Sequence, residues 1–367
     1  MRSTILILIC LCSTISFSQK DKAFFISAKA NGGILLAHRS SMTHLVRENQ
    51  RGLELSAFYQ YQDTSAMSVR LKQPIRGISL SYIDFGYREV LGVGFGLTQY
   101  LKFPVLAFGK NLFLDYSIGS GFGVITEHYD EELNPKNNAI GSHLNSRVDM
   151  EFSLVHYLEK VHYGLGIQFT HFSNGSMKNP NLGLNCPSIF LTAGYNFEAR
   201  IRQEKNFRLD KKDHDKRYAD HTFGAELIMS LKEVSDVPLE AQIYPVLASR
   251  FSYVWRPGIK WGFETSTDLI YNRANQFYYA FSDYSFFQTL QIGIYGGAVA
   301  YFHKSAIVLG GGVYLKDDID VAGRIYNRLG YQLYFNNKFY ATAAIKANFA
   351  KAEYFEFGLG YKFIRSE

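Results

Sequence analysis

Beyond residues 1–18, no part of this 367-residue sequence stays apolar for the roughly 18 positions that a membrane-crossing helix needs. Helical spans are therefore excluded. Cysteine is scarce: of three, Cys10 and Cys12 fall in the opening segment, so a chain starting at Gln19 keeps only Cys186 and forms no intrachain disulfide. Neither Cys10 nor Cys12 follows a small residue, which argues against a lipid anchor. No His/Cys/carboxylate group has metal-ligand spacing, and no glycine-rich loop joins a strand to a helix. Neither a metal nor an organic cofactor is expected. Charge is also mixed, with 39 Lys/Arg against 33 Asp/Glu and a formal excess of +6. That excess is too modest to suggest a nucleic-acid partner.

The opening segment reads as a signal peptide over 1–18. Arg2 supplies its positive end, Ile5 to Cys12 a short apolar stretch, and Ser16-Phe17-Ser18 a small-x-small cleavage site. The remainder is rich in aromatics, with 30 Phe and 26 Tyr, yet the mean hydropathy is only -0.11. Export, abundant Tyr, Phe and Gly, and alternating stretches of about ten residues predict a transmembrane antiparallel β-barrel of an outer membrane. A secreted β-sandwich is the bland alternative.

Alternation places strands near 23–35, 51–62, 77–87, 91–102, 111–127, 142–158, 161–173 and 186–197. Residues 198–220 then carry 8 Lys/Arg and 6 Asp/Glu with few apolar residues, which reads as a charged connector. Strands resume near 221–232, 239–255, 259–271, 286–303, 305–315, 325–335, 338–349 and 352–363. The halves close alike, on "TAGYNF" at Phe197 and "GLGYKF" at Phe363. Two all-β architectures satisfy this pattern. One is a pair of eight-stranded barrels in tandem, over 19–197 and 221–367; the other is a single barrel of about 14–16 strands.

The strand "VHYGLGIQFTHFSN" is informative about orientation. By period-two geometry Tyr163, Leu165, Ile167, Phe169, His171 and Ser173 share one face, and Gly164, Gly166, Gln168 and Thr170 the other. The first face belongs against lipid and the second against a narrow lumen. In the preceding strand Leu144, Val148, Met150, Phe152 and Leu154 face out, while Asn145, Arg147, Asp149, Glu151 and Ser153 face in. In the following strand Asn185 shares the outward parity of Ile189, Leu191, Ala193 and Tyr195, so it can approach His171. With a periplasmic N-terminus, the seventh strand runs outward and sets residues 171–173 at its external end. Polar residues on a lipid-facing surface are costly unless they act.

Serine becomes nucleophilic when a neighbouring base takes its proton, and histidine does so near neutral pH. His-x-Ser at a strand end sets both side chains on one face, about 6–7 Å apart at Cα. The loop that follows is rich in Gly and Asn and can supply donors to an oxyanion. This block, "HFSNGSMKNPNLGLN", resembles the active site of PagL-type lipid A 3-O-deacylases, eight-stranded outer-membrane barrels that hydrolyse an ester-linked acyl chain of lipid A. The family pattern is His-x-Ser-Asn, a short loop with Pro-Asn-x-Gly, and an acid two positions after that Gly. The resemblance implies His171 as base and Ser173 as nucleophile. It further implies the Asn181 side chain and the Ser176 backbone N–H at the oxyanion site, with Asn174 in the same loop. It covers roughly residues 20–197. One position departs from the pattern: the acid is replaced by Asn185, which can still orient a histidine through its carbonyl, as in Cys-His-Asn sites.

A second group lies in the first external loop: His38, Arg39, His44, Arg47 and Arg51. Arginine forks suit the phosphates of lipid A, as does Lys178 in the motif loop, although an ordinary solvated loop has the same composition. The second half offers only Asn348-Phe349-Ala350 against His-Phe-Ser, or Phe349 and Lys351 in the register that parity prefers, and has no comparable polar loop. It reads as structural or partner-binding. The expected protein is thus an outer-membrane serine esterase acting on lipid A of lipopolysaccharide. The alternative is a non-catalytic barrel, a channel or structural protein, that retains the motif.

Overall fold

The computed structural model describes residues 22–61, 71–197, 220–234, 242–278, 284–302, 304–321, 323–349 and 351–366. The expected signal peptide, with Cys10 and Cys12, and nearly all of the charged connector lie outside them. The first half forms strands β1 (Lys22–Gly33), β2 (Gln50–Tyr61), β3 (Ile75–Asp84), β4 (Val93–Phe108), β5 (Leu112–Ile125), β6 (Leu144–Tyr157), β7 (Val161–Ser173) and β8 (Leu184–Asn196). The second half forms β9 (Asp220–Glu233), β10 (Ile243–Arg256), β11 (Trp261–Asn272), β12 (Leu290–Phe302), β13 (Ser305–Lys316), β14 (Ile325–Tyr334), β15 (Phe339–Asn348) and β16 (Lys351–Ser366).

Each strand pairs antiparallel with its sequence neighbours, and each half closes on itself: β8 returns to β1 and β16 to β9. Closure sets Phe25 against Asn196 in the first half and Phe357 against Met229 in the second. The chain is therefore two eight-stranded transmembrane barrels in tandem, and the single barrel of 14–16 strands is set aside. Closure is required because an open sheet edge in hydrocarbon leaves backbone N–H and C=O groups without partners, at several kcal/mol each.

Alternation sorts the side chains as the sequence requires. On β7 and β8 the outward Leu165, Ile167, Ile189 and Leu191 are 58%, 59%, 70% and 68% exposed, a continuous apolar wall. Inward, charges fill the first lumen: Arg147 pairs with Asp149 at 2.8 Å and Glu54 at 3.3 Å, and Lys29 with Glu54 at 3.0 Å and also with Glu151. Beside them a void of about 10 Å³ touches Lys29, Glu54, Tyr100 and Glu151, room for roughly one water. In the second lumen Arg250 and Arg328 share Asp268 and Glu356. Eight-stranded barrels of this kind are packed cores rather than channels.

The two ends of the first barrel differ. One end has the two short turns 109–111 and 158–160 besides the connection 62–74, whereas the other carries all four of the segments 34–49, 85–92, 126–143 and 174–183. Long loops mark the external end of an outer-membrane barrel. There the loops pack into an apolar cap, in which Met42, Leu45, Leu91 and Ile140 close over Phe85 and Phe172. This cap fixes the loop that leads from β1 to β2 and holds it beside the ends of β7 and β8.

Candidate active site

The site begins with a register. β7 and β8 pair so that His171 stands directly opposite Asn185, both on the outward face at the loop-bearing end. Opposed residues on one face lie about 4.5–5.5 Å apart at Cβ, within reach of a direct hydrogen bond. It forms: Asn185 Oδ1 accepts from the Nδ1–H of His171 at 2.6 Å. That bond leaves Nε2 as the ring's basic nitrogen.

Asn185 has a second partner. Its Nδ2 donates to Nδ1 of His38 at 2.9 Å, from the loop between β1 and β2. Sequence reasoning had grouped His38 with the arginines of that loop. No local signal could have moved it, since the contact spans most of the first barrel's length and arises only when β1 closes on β8. The main chain secures the approach, with the N–H of Leu36 bonded to Asn185 O at 2.8 Å.

Ser173 ends β7, only 4% exposed, because the 174–183 loop folds back over it. Ser146 Oγ donates to the Ser173 carbonyl at 2.8 Å and anchors its backbone. Two donors converge on Ser173 Oγ: Asn181 Nδ2 at 2.9 Å and the Gly175 N–H at 3.1 Å. The Asn181 amide is oriented for this by its other end, where Oδ1 accepts the Asn174 N–H at 3.0 Å and lies 3.3 Å from the serine hydroxyl. Asn174 in turn staples the loop, its Nδ2 donating to Lys178 O at 2.6 Å and to Ser142 Oγ at 3.0 Å. No hydrogen bond joins Ser173 to His171 in this resting arrangement. Contacts between a serine and its base commonly tighten only with substrate.

Gly183 has φ +79, and a Cβ there would stand 2.8 Å from His171 Cε1. Any larger residue would push the ring off its seat and strain the backbone. Gly175 and Ser176 also have positive φ, +65 and +60. The Ser176 hydroxyl donates to Ala352 O of β16 at 2.9 Å, and the backbone N–H bonded to Ser173 Oγ in this arrangement is that of Gly175. Nearby, the Asn179 N–H donates to the Glu233 carboxylate at the end of β9. The loop therefore rests on the second barrel at two points, neither of which any sequence pattern marks.

The basic residues do not share one setting. Arg39 is exposed just before the 3-10 turn Ser40–Leu45. Arg47 lies over the Tyr87 ring at 5.3 Å, and Arg51 is exposed on β2 in register with Asp84. Lys178 sits within the stapled loop. Among the described residues, no group of three or more His, Cys, Asp or Glu is arranged to hold a metal.

Residues 51–196 match the family model "Lipid A 3-O-deacylase (PagL)", and residues 216–366 match "Acyloxyacyl hydrolase, C-terminal domain". No curated protein matches the sequence. Among solved structures, the crystal structure of the outer membrane enzyme PagL is 15% identical, covering 45% of this chain and 97% of that one, with a TM-score of 0.29. Mutants of Rh. blastica porin are 6% identical, covering 93% of this chain and 100% of theirs, with a TM-score of 0.17.

Proposed function

We propose that this chain, whose first barrel belongs to the PagL-type lipid A 3-O-deacylase family, is an outer-membrane serine esterase that removes an ester-linked acyl chain from lipid A. One observation carries the reading. His171, oriented by Asn185, and Ser173, ringed by the Asn181 amide and the Gly175 N–H, lie on the outward wall at the loop-bearing rim. A site there meets the head of a lipid directly, and its acyl chain can lie along Leu165, Ile167 and Leu191 without leaving the bilayer.

The steps follow from the groups present. Ser173 rotates so that its hydroxyl donates to His171 Nε2, which takes the proton as Oγ attacks the ester carbonyl carbon. The rotation releases the Asn181 Nδ2–H and the Gly175 N–H to receive the oxyanion, the kind of donor pair whose loss costs most in acyl transfer. The tetrahedral intermediate then expels the sugar oxygen, which takes the proton from His171. Water attacks the acyl-serine with the same histidine as base, and the fatty acid leaves. Asn185 supplies no negative charge to the imidazolium, but its Oδ1 selects the Nδ1–H tautomer. Loss of that selection is what disables serine-protease triads carrying Asn in place of Asp.

Mass spectra of lipid A from membranes holding the full-length protein test this. Wild type should remove one acyl chain, whereas Ser173→Ala and His171→Ala should remove none while both barrels remain folded. Undiminished acyl release by either variant overturns the assignment.

A further inference from the structure

The amide of Asn185 lies between two histidines, and an amide has only two ways to lie there. In the observed one, Oδ1 accepts from His171 Nδ1–H and Nδ2 donates to His38 Nδ1. This arrangement requires His38 to be neutral, because only an unprotonated ring nitrogen accepts a hydrogen bond. We infer that His38 is a positioning residue, whose neutral ring holds Asn185 in the orientation that keeps His171 a base and whose protonation reverses it.

The reversal follows from donor and acceptor counting. With a proton on Nδ1, His38 confronts the Nδ2–H of Asn185 donor to donor. Turning the amide over relieves this, since Oδ1 then accepts from His38. The same turn points Nδ2–H at His171 Nδ1, which must become the acceptor and carry its hydrogen on Nε2 instead. That is the nitrogen that has to take the serine proton. One proton taken up by His38 thus silences His171 without charging it.

His38 is exposed, whereas His171 is half-buried beneath Gly183 and the motif loop. Around His38, β7 presents His171, β8 the neutral Asn185, and its own loop the exposed Arg39. The family's acid at position 185 would behave differently, since a carboxylate accepts from both rings at once and has no amide to reverse. Substitution of that acid by Asn thus gives His38 a hold on the reaction.

The catalytic consequence rests on the esterase reading; the tautomer does not, and the experiment separates them. Full-length protein labelled with 15N-histidine is titrated in detergent micelles, with His171 and His38 among the ten histidines assigned by substitution. The 15N shifts of His171 should report the Nδ1–H tautomer at alkaline pH. They should change to Nε2–H as His38 protonates, before His171 itself is charged. In His38→Phe, which has neither acceptor nor proton, the tautomer should be mixed and independent of pH until His171 titrates. Acyl release should fall about twofold in His38→Phe, since losing the bias of one hydrogen bond leaves about half of the molecules with a basic Nε2. The same substitution should have no effect beside Asn185→Glu. A His171 that keeps Nδ1–H through the protonation of His38, or an unmixed tautomer in His38→Phe, overturns the inference. Acyl release absent from wild type, with the tautomer change present, would instead remove the esterase reading and leave His38 as positioner.

Discussion

Replacing Glu233 by alanine should slow the reaction without unfolding either barrel. Glu233 closes β9 in the second barrel, and its carboxylate accepts the N–H of Asn179, two residues before Asn181, the proposed oxyanion donor. Both residues are buried, at 2% and 6% exposure, so water cannot simply replace the lost acceptor. Leaving a buried N–H unpaired costs about 1–3 kcal/mol. Set wholly against the catalytic pose of the loop, that is roughly 5- to 150-fold in rate. The lower part of the range is expected, because the Asn174 bonds to Lys178 O and Asn181 Oδ1 hold the loop from within. Glu233→Gln keeps an acceptor and should lose much less. Acyl release is followed by mass spectrometry at equal folded protein, with heat-modified gel migration as the measure of barrel integrity. Unchanged acyl release by Glu233→Ala would refute the idea that the second barrel braces the loop.

Other substitutions test separate parts of the structure. Asn181→Ala removes an oxyanion donor and should lower the rate on the order of 10²-fold, with little change in thermal stability; an equal loss of both would make Asn181 merely structural. Gly183→Ala should abolish acyl release in a folded barrel, since its Cβ meets His171 at 2.8 Å and φ is +79; full activity would show that the ring has room to move. Arg147→Met takes the arginine from Asp149 and leaves Glu54 with Lys29 alone in the buried lumen; it should cost about 3–5 kcal/mol of stability, read from denaturant melts, while the fraction still folded keeps its activity. A chain ending after Phe197 should insert as a closed barrel, because β8 already pairs with β1, yet turn over more slowly for want of Glu233 and Ala352; failure to fold beside a folded full-length control would show that the first barrel is not independent.

The strands were legible because period two is a strong constraint in lipid. A side chain on the wrong face of β6 would set Arg147 or Asp149 in hydrocarbon, so the sequence has little freedom, and all sixteen expected strands are found, although β4 runs on to Phe108 and a short helix over Phe286–Thr289 precedes β12. The number of barrels was legible only through the count of eight strands on each side of the charged connector, which favoured two. Alternation itself is identical whether β8 pairs with β1 or with β9, and the pairing of Phe25 with Asn196 decides between them. Parity put His171 and Asn185 on one face, and the observed register of β7 and β8 sets them level.

What parity cannot reach is anything held by a loop. Strand geometry gives each residue a face and a depth, whereas a loop residue can point anywhere its packing allows. His38 sits among Arg39, His44 and Arg47 in the sequence, and nothing local separates it from them. Its position is decided by the apolar cap, where Leu35, Met42 and Leu45 pull the loop down, and by the bond from Leu36 to Asn185 O. Gly175 and Ser176 make the same point, because two consecutive positive φ values choose which N–H faces Ser173 and which hydroxyl faces the second barrel. The strands therefore set where an ester bond would meet Ser173. The loops that carry His38 and Gly175 add to this the partners of Asn185 and Ser173, and a single exchange such as Glu for Asn185 on β8 can alter the chemistry while the barrel stays as it was.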